Sequence, residues 1–274
     1  MQTEAPTMRQ RLPAQAVIEE LLRQHSTTPP RSGFGRFFGY SPLGADSISW
    51  YRGAQGEIVV GGILATLPPE WTAYHALPIG KKGSDIDHLV IGPGGIFTIN
   101  TKHHKDKAVW VAGRTLMVSG QKQPHIRNAD YEAKRVTKLL RERMPRLPSA
   151  QPVLALVGPK SLKIKAKPDQ TTVLEAAQLK RWLLTHPPML SAAELDELAA
   201  IIDDASTWPP ALFPPTDDAR GQFDALDAEV RTAYVRRTRW RLLGAVSIGA
   251  VIFLAGPPLI SAVMSAYIAA VVSP

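Results

Sequence analysis

The chain has 274 residues, 45% of them apolar, which is enough for one large or two small globular domains with a real core. It contains no cysteine, so disulfides and thiolate metal sites are excluded. Lys and Arg outnumber Asp and Glu by 32 to 24, and the resulting charge of +8 suits an anionic partner, either nucleic acid or an anionic membrane surface.

Residues 1–30 are polar and hold no apolar core of signal-peptide length. Residues 1–50 are rich in Pro, Gly and Ser and predict a partly flexible N-terminal extension with one helix over 14–24. Ala54, Ile58, Gly61, Leu64 and Ala65 recur at helical spacing and predict a helix over 54–67, ended by Pro68-Pro69. Residues 71–77 have strand character, and 80–84 form a basic, Gly-containing turn. Strands are expected over 85–91 and 96–101, paired as a hairpin across Gly92-Pro93-Gly94-Gly95. A second hairpin joins 109–111 to 116–118 across Gly113-Arg114. Asn128 is the expected cap of a helix with the stripe Ala129, Ala133, Val136, Leu139, Leu140 and Met144, which puts Asp130 and Glu132 in its first turn. A buried strand over 153–157, a short one at 173–174, and helices over 175–184 and 192–203 follow. Residues 208–213 read as a linker, and 217–241 as a charged helix. The order predicts an α/β fold with a small mixed sheet flanked by helices. The expected organisation is an extension (1–50), a central domain (51–160), its helical completion (161–205), a linker with a basic helix (206–241) and an apolar segment (242–274).

That last segment carries no charge after Arg241. About 20 apolar residues span a bilayer, and a soluble helix of this length would keep a polar face. A C-terminal transmembrane helix is therefore expected. Arg236, Arg237, Arg239 and Arg241 precede it, which places the large N-terminal part in the cytoplasm by the positive-inside rule. Trp240 suits an interfacial anchor. Pro257 and Pro258 break the helical hydrogen-bond ladder, so the run is either one kinked span, the preferred reading, or a shallow hairpin.

The residues that carry chemistry lie between Gly56 and Lys102. They are Gly56-Glu57, then Gly83-Ser84-Asp85-Ile86-Asp87-His88, then Asn100-Thr101-Lys102. On a strand, Asn100 and Lys102 share a face, and Asp87 on the partner strand can face them. Glu57, on a helix, can cover the same edge. Phosphodiester hydrolysis needs such oxygen ligands for a hard divalent cation, with a lysine to orient water or stabilise developing charge. His103 and His104 are adjacent on a strand end and point to opposite faces, so a histidine metal site is not expected. Gly92, Gly94 and Gly95 join two strands and are no dinucleotide loop.

The helix motif Gly53-Ala54-Gln55-Gly56-Glu57, the strand motif Asp85-Ile86-Asp87-His88, the Gly turn and the strand ending at Lys102 together resemble the nuclease-related (NERD) branch of the PD-(D/E)xK nuclease superfamily. The likeness covers roughly residues 51–159. It implies a PD-(D/E)xK nuclease-like sheet and a metal-dependent nuclease using Mg²⁺ or Mn²⁺. Glu57 would be the helix acid, Asp87 the metal-binding carboxylate, Lys102 the catalytic lysine, and the Thr101 carbonyl a further metal oxygen. The superfamily pattern places an acid two residues before the lysine, whereas this chain has Asn100. An amide oxygen can bind a hard metal but brings no charge, so Asn100 leaves catalysis open. Lys81, Lys82, His103, Lys105, Lys122 and Arg127 are the candidates for a nucleic-acid face, against the plainer reading of a solvated surface. The expected function is a membrane-anchored nuclease acting on DNA before RNA. The alternative is a non-catalytic module that tethers nucleic acid or a partner to the membrane.

Overall fold

The computed structural model describes residues 7–80, 84–210 and 218–272. Its helices are α1 (Gln15–Ser26), α2 (Gly33–Phe38), α3 (Ser47–Leu64), α4 (His125–Arg141), α5 (Leu179–Leu183), α6 (Ala192–Asp203) and α7 (Ala219–Val272). Its strands are β1 (Thr72–Pro78), β2 (Asp85–Gly92), β3 (Gly95–His103), β4 (Ala108–Ala112), β5 (Thr115–Val118), β6 (Gln121–Gln123), β7 (Gln151–Val157), β8 (Ser161–Ala166) and β9 (Thr172–Glu175). The chain divides into two compact units, residues 1–25 with 45–220, and residues 26–44 with 221–274.

The first unit is α/β. A five-stranded mixed sheet runs β1-β2-β3-β7-β9, antiparallel from β1 to β3 and parallel from β3 to β9. Alternation along β2, β3 and β7 gives the sheet two apolar faces. On one face Val90, Phe97, Ile99, Val153 and Ala155 pack with Val60 and Leu64 of α3. On the other, Leu89, Ile91 and Ile96 pack with Ala133, Val136 and Leu140 of α4 and with Leu198 and Ile202 of α6. Asp87 shares the parity of Leu89 and Ile91, and Asn100 and Lys102 share that of Ile96. The sheet therefore turns all three toward the α4 side.

A second sheet, β6-β5-β4-β8, was only half visible in the sequence. Its apolar face (Val109, Val111, Leu116, Val118) packs with Ile126 of α4, Leu154 and Leu156 of β7, and Val173. β8, which pairs with β4 in parallel, was not anticipated. Its sequence, SLKIKA, is almost wholly exposed, and lysines on an edge strand are a common guard against further pairing.

Several boundaries differ from expectation. α3 starts at Ser47 rather than near residue 54, because Ser47 and Tyr51 are buried about two turns and one turn before the apolar periodicity becomes regular. Asn128 is not a cap: α4 begins at His125 behind Pro124, and the Asn128 N–H already bonds the Pro124 carbonyl. Glu132 consequently stands well inside the helix and not in its first turn. Pro152 lies within β7, opposite Thr98 of β3, rather than bounding the strand. Residues 7–25 are held to the first unit. Arg9 pairs with Asp203 at 3.0 Å, the Arg11 Nε donates to the Ala76 carbonyl at 2.7 Å, and Ile18 and Leu21 of α1 are buried.

The second unit is built on α7, which runs unbroken through Pro257 and Pro258. α2 is a single short helix capped by Ser32, whose Oγ accepts from the Gly35 N–H at 3.1 Å. It ends at Gly39, where φ is +74°. A Cβ there would also overlap the Ala233 carbonyl oxygen of α7, so glycine is required on two counts. Trp240 donates its indole N–H to the Phe37 carbonyl at 3.0 Å, and its ring lies 5.0 Å from those of Phe37 and Phe38. Arg236 donates to the Arg36 carbonyl at 3.1 Å, and Arg31 pairs with Glu229 at 2.6 Å.

Candidate active site

The β2–β3 ladder runs from Gly92↔Gly95 to His88↔Ile99 and stops there. Beyond it the Thr101 N–H donates to Asp87 Oδ2 at 2.6 Å, a charge-assisted bond that fixes the buried carboxylate. Thr101 and its neighbours remain in the sheet through β7, where Asn100 pairs with Leu154 and Lys102 with Leu156. The end of β3 is thus rigid on one side and open to side-chain chemistry on the other.

Glu57 reaches this point because α3 approaches β3 closely. A Cβ on Gly56 would lie 3.1 Å from the His103 Cβ and 3.3 Å from the Thr101 Cγ2. A side chain there would have to push α3 or β3 back by a few tenths of an ångström, so glycine allows the closest approach. Glu57 is buried, and its Oε2 has no hydrogen-bond partner. Burial, and then the charges of Asp87 and Asp85, push its carboxyl well above the usual range, while Lys102 pulls it down.

Two further acids belong to the same group. Asp85 lies two residues before Asp87, on the same face of β2 by strand period. Burial and the Asp87 charge raise it to about 7. Glu132 of α4 accepts from the Asn100 Nδ2 through both carboxylate oxygens, at 3.0 and 2.9 Å. Burial and Asp87 raise it to about 7. Asp87 itself is raised by burial against the opposing pull of Lys102 and the Thr101 N–H. Lys102 is the cation felt by all of Glu57, Asp85, Asp87 and Glu132, and only Asp85 also feels Arg11. The Lys102 Nζ donates to the Thr101 carbonyl at 2.9 Å, so one lone pair of that oxygen is engaged.

The crowding of four acids and the unpartnered oxygens bear on whether a divalent cation fits. Glu57 Oε2, Asp85 Oδ2 and Asn100 Oδ1 are buried and lack partners among the described residues. Each such atom costs about 1–3 kcal/mol unless something satisfies it. All are hard oxygen donors of the kind Mg²⁺ and Mn²⁺ take. Among the described residues, no three His, Asp or Glu side chains form a metal-holding group by themselves. A divalent cation held here would have to draw on the Asn100 amide oxygen as well as on carboxylate, with water in the remaining positions, as Mg²⁺ commonly requires.

The proposed nucleic-acid residues are more scattered. His103 is half-buried, with its pKa lowered first by burial and then by Arg52 and Lys105. Lys105 is exposed just past β3, and Lys122 is exposed on β6. Arg127 lies exposed on α4 and lines a cleft of about 340 Å³ with Asn128, Tyr131, Glu132 and Arg135. Lys81 and Lys82 lie outside the described residues. His104 and His125 stack at 5.4 Å, and each is lowered to about 4, chiefly by burial, so both are neutral at pH 7. Strand period alone could have found Asp85. Glu132 had no local signal, since only the packing of α4 on the sheet brings it to Asn100.

Residues 52–157 match the sequence profile of the nuclease-related domain (NERD), a stretch that contains Glu57, Asp85, Asp87, Asn100, Lys102 and Glu132. No curated protein and no solved structure matches the chain.

Proposed function

From the premise that residues 52–157 form a nuclease-related domain, we propose that the protein is a membrane-anchored, metal-dependent nuclease that hydrolyses phosphodiester bonds of DNA in preference to RNA. The observation that carries this reading is the acid cluster of Glu57, Asp85, Asp87 and Glu132 around Lys102, with three oxygens, on Glu57, Asp85 and Asn100, that have no partner among the described residues. When bound, Mg²⁺ or Mn²⁺ would polarise the scissile phosphate and make water a stronger nucleophile. Asp87, held by the Thr101 N–H, and the Asn100 Oδ1 are the residues that would hold it, with Thr101 offering the second lone pair of its carbonyl. Lys102 sits where an ammonium can orient the attacking water or neutralise charge on the phosphate oxygens. Glu57 could take a proton from that water once a bound cation's charge had ionised its carboxyl, which burial and the neighbouring acids otherwise keep protonated.

The membrane part rests on the last stretch of α7, an apolar window of mean hydropathy 2.0 with none of it buried. Four arginines and Trp240 stand immediately before that stretch. Their charge favours the cytoplasmic side for the domain. A second reading, a module that binds nucleic acid without cutting it, is favoured by Asn100, which leaves the β3 motif one charge short.

The test is cleavage of labelled duplex DNA, single-stranded DNA and RNA by the full chain in detergent micelles, with Mg²⁺ or with EDTA. Cleavage should require the metal and fall on the order of 100-fold or more in Asp87→Asn and in Lys102→Met. Salt-sensitive DNA binding without cleavage in the wild type would select the second reading.

A further inference from the structure

The geometry points to Glu132 as the acid that the β3 motif lacks: it is a positioning residue that holds the Asn100 amide so that its oxygen serves the cation, and it supplies the missing negative charge one bond further out. This inference rests on the metal-dependent reading above. Asn100 Nδ2 sits between both oxygens of Glu132, at 3.0 and 2.9 Å. An amide has one donating and one accepting end, and a carboxylate only accepts. Turning Asn100 over would set its oxygen against two carboxylate oxygens, so Glu132 locks the amide in one orientation. The other end, Oδ1, is then fixed, buried and without a partner.

The sequence position of Glu132 supports the role. On α4 it neighbours the buried Ala129, Ala133 and Val136, so the face that packs on the sheet also carries the acid. Asp87, Asp85 and Lys102 all act on it, which makes it a member of the cluster and not a surface group. A hydrogen bond from a ligand to a carboxylate polarises the ligand, orients it and raises its basicity. Asn100 and Glu132 together therefore do what one glutamate at position 100 would do. The amide brings the oxygen and the helix brings the charge.

The experiment measures Mn²⁺ affinity by electron paramagnetic resonance of the free ion, using the full chain in detergent micelles. Glu132→Gln keeps the shape and removes the charge. It should weaken Mn²⁺ binding by about 10–100-fold, the usual effect of losing such a supporting partner. Asn100→Glu in the Glu132→Gln background should restore most of that loss, because the charge returns on the strand. Asn100→Glu alone should gain little, since it sets two carboxylates against each other. Unchanged affinity in Glu132→Gln, or no recovery in the double variant, would overturn the role of Glu132 while leaving the nuclease reading intact. A folded wild type that binds no Mn²⁺ at millimolar concentration would overturn both.

Discussion

At Gly56 helix propensity and packing pull in opposite directions. Alanine would gain about 1 kcal/mol of helix propensity, and overpacking against β3 would cost about 1–3 kcal/mol. Gly56→Ala should therefore lower stability by no more than about 2 kcal/mol, whereas the branched side chain in Gly56→Val should cost about 3 kcal/mol or more. Thermal melts in micelles measure both, and a valine variant as stable as the alanine one would mean that α3 does not press on β3. A second residue-scale prediction concerns His75 and His88. Their Nδ1 atoms lie 2.8 Å apart, so one donates and the other accepts, which requires the accepting ring to be neutral. Burial lowers His75 from 6.5 to about 4, and burial together with His75 holds His88 well below the usual histidine value. A base whose folded pKa is depressed stabilises the fold fully above its unfolded value. That contribution is lost as pH falls from 6.5 toward 4. Each such proton steepens the fall by about 1.4 kcal/mol per pH unit. Denaturant unfolding across that range should show a shallower slope in His75→Gln than in the wild type, and equal slopes would remove His75 from the titration.

At the scale of elements, the sequence was most legible where a pattern was closed within a few residues. The β2–β3 hairpin shows in its alternation and its Gly-Pro-Gly-Gly turn, and the stripe of α4 in its period. What failed was information held elsewhere in the chain. Asn128 looked like a cap, but Pro124 already sets the start of α4, and so Glu132 was assigned to a helix end instead of a site. β8 was invisible because Leu162 and Ile164 alternate with lysines in a strand that is nearly all exposed, so it lacks the apolar run that marks a buried one. α2 was invisible because two of its six residues are glycines and its aromatic rings find their partner on α7. That pairing makes the element-scale prediction. Trp240→Ala removes the bond to the Phe37 carbonyl and two ring contacts, each worth about 0.5–1.5 kcal/mol. Hydrogen exchange over residues 33–40 should accelerate by more than about tenfold, and unchanged protection would show that α2 holds without the indole.

On the scale of the whole molecule, charge and hydropathy are readable in the sequence directly, since they are sums over the chain. The +8 and the uncharged run after Arg241 needed no folding to be seen. The α/β class also followed, because the alternation of helix and strand signals survives errors in their limits. The cluster around Lys102 is only partly legible in the sequence, for a physical reason. Asp87, Asn100 and Lys102 are brought together by one hairpin, and Glu57 by a glycine-marked helix in the same motif. Glu132 is brought in by a helix that begins more than twenty residues after Lys102, and no local pattern encodes that meeting.

The seat of Trp240 bears on where the chain can be shortened. A stop codon ahead of the arginines is the natural choice for anyone who wants a version free of the apolar helix. It would discard the indole and the Arg236 guanidinium together, leaving Phe37 and Phe38 without the ring they pack on and the Arg36 and Phe37 carbonyls without their donors. Phe34 and Phe37 are already 67% and 58% exposed with Trp240 in place. A product cut there would carry a bare phenylalanine cluster, and its clumping would be blamed on the nuclease-related part. Ending the chain just after Arg241 keeps the aromatic seat and all four arginines.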